Sequence, residues 1–193
     1  MAISQIGFED KVGTLTINED PQDSEDLLEI VYAAMKYFPK GIWGQIEYFG
    51  NIKIKHNFQI KLQERVFGVL IFEEIVQKLK KIKNTLRFKG LLLALTHDPL
   101  IRINYFFEKG TFRRVVLLIH DYVTKAIGIV SFFQIEGEIT KMITAHGLGH
   151  NQGLVHHSEP IDLMYAGLLG GEPLKKIGFC KNCKQQLEKR AKL

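Results

Sequence analysis

The chain has 193 residues and 22.1 kDa, 46% of them hydrophobic and 24% charged, which suits one globular unit able to bury a sizeable core. This composition excludes collagen-like, low-complexity and disordered classes, and two cysteines exclude a disulfide scaffold. The net charge of +5 is uneven: residues 1–30 carry eight acids and one base, whereas residues 31–90 and the C-terminal stretch from 175 are basic.

In chain order, the N-terminal MAISQIGFEDKVG lacks the basic and apolar regions of an export signal, and no apolar run approaches the ~18 residues of a membrane span. A cytoplasmic protein with reduced thiols is expected. Lys11–Asn18 alternates as a short strand. Asp23, Ser24 or Asp26 is then placed to cap a helix running to about Phe38, before Pro39 and Gly41. Gln45–Ile54 reads as a strand or hairpin. From Asn57 to Lys83, Ile60, Val66, Val69, Leu70, Phe72, Ile75, Val76, Leu79 and Ile82 recur at helical spacing, which predicts one long helix.

Leu91–Thr96 predicts a buried strand. Asn104–Phe107 and Val115–His120 are further strands separated by a turn at Glu108–Gly110, while Ile127–Ile135 is apolar and ambiguous. A helix is expected over 137–151, from Ile139, Met142, Ile143, Ala145 and Leu148, and a basic helix from about Cys183. There is no repeat and no linker, so residues 1–193 are expected to form a single α/β (α+β) domain. Its sheet-and-helix part would span 1–152 and its loop-rich C-terminal part 153–193.

Four of the seven histidines fall in TAHGLGHNQGLVHHSEPIDLMYAG. His146 and His150, four apart, share one face of a helix and can approach one cation. Gly153 suits a left-handed turn that ends the helix, after which His156 can swing back as a third ligand. Three neutral imidazoles with one open position make a catalytic-type zinc site, in which bound water becomes acidic enough to attack a carbonyl. Gly147 and Gly149 each cost on the order of 1 kcal/mol inside a helix, so something beyond propensity must hold it, with metal coordination one candidate.

The H-x-x-x-H-x-x-G-x-x-H spacing resembles the zinc-peptidase signature of the metzincins, H-E-x-x-H-x-x-G-x-x-H followed by a Met-turn. More narrowly, it resembles the archaemetzincins, in which a short loop leads to the methionine and a C-x-x-C follows near the C-terminus. Met164 would be the Met-turn residue, and Cys180 and Cys183 the C-x-x-C. Upstream, LLLALTHDPLIRINYFF and RRVVLLIHDYV look like that family's core strands, so the likeness covers residues 90–188. It implies a mixed twisted sheet with an active-site helix, a Met-turn and a C-terminal helix. It also implies that Met164 floors the zinc site without ligating.

Two departures from the family pattern matter. Where the family has its general-base glutamate this sequence has Gly147, which removes a proton shuttle worth roughly 10²–10⁴ in rate. The resemblance therefore implies a zinc-binding metallopeptidase homologue with little or no peptidase activity, a pseudoenzyme. An active zinc hydrolase using another base, with Glu136, Glu138 or Glu159 as the nearby carboxylates, is the alternative. A basic nucleic-acid-associated protein with purely structural zinc is a third class. The second departure concerns the family's four-cysteine structural zinc: its first two positions are His157 and Asp162 here. A His157/Asp162/Cys180/Cys183 tetrahedron is chemically allowed, against an unligated or a redox thiol pair. Asn104–Phe107 resembles the edge strand along which metzincins lay an extended substrate, so a peptide or protein ligand in that cleft is expected and no membrane partner. Trp43, His56, His97 and His120 read as packing or surface residues.

Overall fold

The computed structural model describes residues 11–108, 110–170 and 172–191, so the N-terminal decapeptide read above for export signals, and Lys109 of the expected turn, lie outside the described residues. In chain order the elements are β1 (Val12–Ile17), α1 (Pro21–Met35), β2 (Ile46–Ile52), β3 (Phe58–Leu62), β4 (Arg65–Ile71) and α2 (Phe72–Leu86). They continue with β5 (Leu91–Thr96), β6 (Leu100–Glu108), β7 (Thr111–Ile119), β8 (Asp121–Val123), β9 (Ile127–Ser131), α3 (Glu138–Asn151) and α4 (Lys181–Arg190).

β1 and β5 are buried at every position, the mark of central parallel strands covered on both faces. They form a sheet in the order β2-β1-β5-β9-β8, parallel except for the antiparallel edge strand β8. The pleat then sorts the side chains of β5 by parity. Leu91, Leu93 and Leu95 join Leu27 and Val31 of α1 and Ile143 and Leu148 of α3 on one face. Leu92 and Ala94 join Ile75 and Leu79 of α2 on the other. Each fully buried leucine stabilises this sandwich by roughly 1.5–3 kcal/mol. The strands β3-β4-β6-β7 form a second sheet, whose β6–β7 hairpin exposes Tyr105, Phe107 and Phe112.

The mixed α/β architecture agrees with the expectation; several elements differ in detail. Residues 57–83 are not one helix. A β3–β4 hairpin turns at Gln63, whose φ of 55° is left-handed, and α2 begins only at Phe72. The apolar residues that recur at helical spacing also alternate when read as strands, and Ile60 pairs with Phe67 across the hairpin. β2 is a single strand parallel to β1, with a bulge at Gly50 (φ 95°) where the register shifts. α1 is capped one residue before Pro21 rather than later: Asp20 accepts from the Asp23 amide at 2.9 Å. The ambiguous 127–135 stretch is β9 followed by a turn. Among the described residues no helix is long and apolar enough to cross a membrane.

Candidate metal centre

α3 carries His146 and His150 on one face, and Gly153 reverses the chain in the left-handed region (φ 76°), so that His156 returns to them. The three Nε2 atoms converge: His146 to His150 is 3.0 Å, His146 to His156 is 3.1 Å and His150 to His156 is 2.9 Å. Ligand nitrogens of a tetrahedral zinc, bonded at about 2.0–2.1 Å, stand roughly 3.3 Å apart. The cluster therefore has nearly the size of a three-histidine zinc site.

The rings are fixed from behind. His146 Nδ1–H donates to the Leu163 carbonyl at 2.6 Å, and His150 Nδ1–H donates to the Leu154 carbonyl at 3.1 Å. Such bonds leave Nε2 of each ring as a lone pair, the ligating tautomer. Burial and the neighbouring imidazoles hold both rings below the usual histidine value, so both stay neutral at pH 7. Lone pairs facing one another at about 3 Å repel, and a cation between them removes that cost. His146 is buried, His150 half-buried and His156 exposed, which leaves the cluster open on one side, as an accessible fourth position requires.

Met164 is fully buried and packs against α3, where a β-carbon on Gly149 would stand 2.6 Å from its sulfur. Gly147 is explained in the same way. A β-carbon there would meet Val123 Cγ2 at 2.7 Å and Asp121 Oδ2 at 3.2 Å. Both helix glycines thus make room for close neighbours.

His157, Asp162, Cys180 and Cys183 also come together. His157 Nε2 lies 3.2 Å from Cys183 Sγ, 3.7 Å from Cys180 Sγ and 3.5 Å from Asp162 Oδ2. A tetrahedral zinc puts its nitrogen and sulfur ligands roughly 3.6 Å apart, so the group fits. Cys180 caps α4, and the two cysteines are not disulfide-bonded. The carboxylate of Asp162 is completely buried and accepts from the amides of Met164 and Cys180, both at 2.9 Å. Burial alone would raise its pKa, but these bonds hold it below the ordinary carboxylate range. Burial, together with the Asp162 charge, pushes the Cys183 thiol up. A buried carboxylate beside two thiols is again a donor set that a divalent cation reconciles. The two clusters share a strap: Asp162 holds the Met164 amide, and Leu163 between them receives the His146 ring.

The fold has solved counterparts. The chain superposes on archaemetzincin from Methanopyrus kandleri with a TM-score of 0.62 and 17% identity, over 97% of this chain and 98% of that one. The fold is archaemetzincin-like. A zinc-dependent peptidase from Methanocorpusculum labreanum matches with a TM-score of 0.52 and 16% identity, over 91% of this chain and 99% of that one. Metalloproteinase-II from Bacteroides fragilis matches with a TM-score of 0.50 and 14% identity, over 94% of this chain and 53% of that one. No protein-family model matches the sequence, and no curated protein matches it.

Within this archaemetzincin-like frame, the alternative carboxylates named from the sequence are exposed, and Glu138 is paired with Lys141. Asp121, at the start of β8, is the carboxylate that sequence reasoning missed. Desolvation raises its pKa to about 6, against the opposing pull of His150 and His156. Only the sequence HDYV, directly after an apolar run, marked it. Asn104–Phe107 lies in the β6–β7 hairpin of the second sheet, whereas the sheet edge beside α3 belongs to β8. His56 pairs with Asp98 at 2.7 Å, His120 bonds the Ser131 carbonyl, and Trp43 packs edge-on to Phe38. His97 pairs with Glu19 at 2.9 Å, and with Asp23 nearby these form a third group of potential ligands.

Proposed function

We propose that this chain is a zinc-binding protein of the archaemetzincin group. It holds one hydrolytic-type zinc on His146, His150 and His156, and a second, structural zinc on His157, Asp162, Cys180 and Cys183. The observation that carries this reading is the convergence of three Nε2 atoms within 2.9–3.1 Å, with two of the rings anchored by backbone carbonyls. A bound zinc would acidify a water and polarise a carbonyl there. The ring anchors hold the donor set in place, and the exposed side at His156 admits a ligand.

The ligand that suits this geometry is an extended peptide laid along the edge of β8, which ends the five-stranded sheet beside α3. Hydrolysis by a carboxylate at position 147 is closed to this protein, because Gly147 carries no proton acceptor. Relative to a glutamate-bearing enzyme the site is impaired, and peptide binding outlasts peptide cleavage. A reducing, cytoplasmic setting keeps both thiols available as ligands. A specific observation favours a second reading, hydrolysis with a base from another element: Asp121 stands beside Gly147.

Metal analysis of the purified full chain tests the proposal. Two zinc ions per chain are expected, falling to one in His150→Ala and to one in Cys183→Ser. A wild-type protein without stoichiometric zinc would refute it.

A further inference from the structure

The carboxylate absent from position 147 has a neighbour in its place. β8 pairs with β9 through Asp121–Val130, Tyr122–Ile129 and Val123–Gly128. The strand's period of two turns Asp121 and Val123 toward α3, and sends Tyr122 to the far face, where it packs edge-on to Phe72. Asp121 Oδ2 lies 3.2 Å from where a side chain at position 147 would begin.

The approach is held from both sides. Val123 Cγ2 occupies the space above Gly147, and Asn151 Nδ2 at the end of α3 donates to the Thr124 carbonyl at 2.7 Å. A side chain at position 147 and a carboxylate at Asp121 compete for one volume, and in this chain the strand fills it. Among the described residues the Asp121 side chain makes no hydrogen bond and no ion pair. The titratable groups acting on it are His150 and His156 of the three-histidine cluster. A half-buried carboxylate without a structural partner, beside Gly147 and within electrostatic reach of His150 and His156, is free to handle a proton.

We propose that Asp121 supplies from β8 the proton transfer that position 147 cannot, for cleavage of an extended peptide at the three-histidine site. This rests on the reading of that cluster as a hydrolytic zinc site. Asp121 Oδ2 accepts a proton from the attacking water, whose oxygen bonds to the peptide carbonyl carbon. The C–N bond then breaks, and the proton passes from Asp121 to the departing nitrogen. The other water proton remains with the new carboxyl group, and nothing is oxidised or reduced. Asp121 is thus a catalytic residue in a different element from the family's base. Gly147 is the vacancy that lets it approach.

The test uses the full chain, zinc-loaded for turnover and cobalt-loaded for spectroscopy. With an internally quenched peptide mixture, Asp121→Asn is expected to lower kcat by about 10²–10⁴, the usual worth of general acid–base action, with KM little changed. Asp121→Glu, which keeps a carboxylate, should recover part of that loss, and Glu138→Gln, at an exposed residue paired with Lys141, should behave as wild type. The second readout needs no turnover: the pH midpoint of the cobalt visible spectrum should move in Asp121→Asn while the band intensity of three-nitrogen ligation persists. An unmoved midpoint overturns the proposal, as does peptide cleavage that survives Asp121→Asn intact. If the wild type leaves the mixture uncut, the cobalt midpoint alone decides. Failure of the wild type to bind stoichiometric cobalt is a separate result, which removes the underlying zinc reading.

Discussion

Adding one methyl group at position 147 measures how tightly β8 is pressed onto α3. In Gly147→Ala the new β-carbon would stand 2.7 Å from Val123 Cγ2, well inside the ordinary carbon–carbon contact of about 3.5–4.0 Å. Overpacking of this kind costs about 1–3 kcal/mol, while replacing a helical glycine by alanine returns about 1 kcal/mol. The single variant should therefore lose about 0–2 kcal/mol. Val123→Ala, trimming a half-buried side chain, should lose about 1 kcal/mol. Together the changes relieve each other, and the double variant should return close to wild type, a coupling of about 1–3 kcal/mol. For a chain of this length each kcal/mol moves Tm by roughly 2–4 °C. Urea unfolding of the four proteins at fixed free zinc measures the cycle. Additivity within about 0.5 kcal/mol would refute the close packing of Val123 on Gly147. The same crowding forecasts that Gly147→Glu alone gains no peptidase activity, because its carboxylate must enter space held by Val123 and Asp121.

Three further outcomes follow from other parts of the molecule. Asp162→Ala strips one buried and one part-buried amide of their acceptor, about 1–3 kcal/mol for the buried one, and should release one zinc with a marked fall in Tm; a variant keeping both zinc ions refutes the assignment of Asp162 as a ligand. Met164→Ala should cost about 2–5 kcal/mol through the cavity left against Gly149, whereas Met164→Leu should stay within about 1.5 kcal/mol, as judged by chemical denaturation. The Glu19–His97 pair sets a pH window. Burial opposes ionisation of Glu19, but the His97 ring and amide outweigh it and lower its pKa. That contribution is present above the ordinary 4.5 and lost as pH falls through the depressed value. The Glu19 bond raises His97, whose contribution is complete below the ordinary 6.5 and lost as pH rises through the raised value. Glu19→Gln should therefore destabilise most between about pH 4.5 and 6.5 and less at alkaline pH, read as Tm against pH.

Much of the candidate metal centre is legible in the chain because its geometry is local. A four-residue step, close to one turn of 3.6 residues, brings His146 to His150, a glycine that accepts positive φ returns His156, and a cysteine cap with its i+3 partner brings Cys180 to Cys183. His157 and Asp162 lie within a few residues of Met164, so their positions follow the same short strap. The central strands are legible too, since Leu91–Thr96 is apolar without interruption. The segment 57–83 is not, because a hairpin followed by a helix and one continuous helix share the same apolar positions. Pairing across the hairpin, not local preference, selects between them.

By itself the sequence named two groups of candidate metal ligands, the absence of a carboxylate at position 147 and the α/β character of the chain. Only the tertiary structure decided what stands where that carboxylate would be. Asp121 and Gly147 are separated by 26 positions, and no helical or strand period connects them. Their meeting depends on the β8–β9 register and on how α3 docks against that edge. A slip of one residue would turn Asp121 to the far face and leave the site without an acidic neighbour.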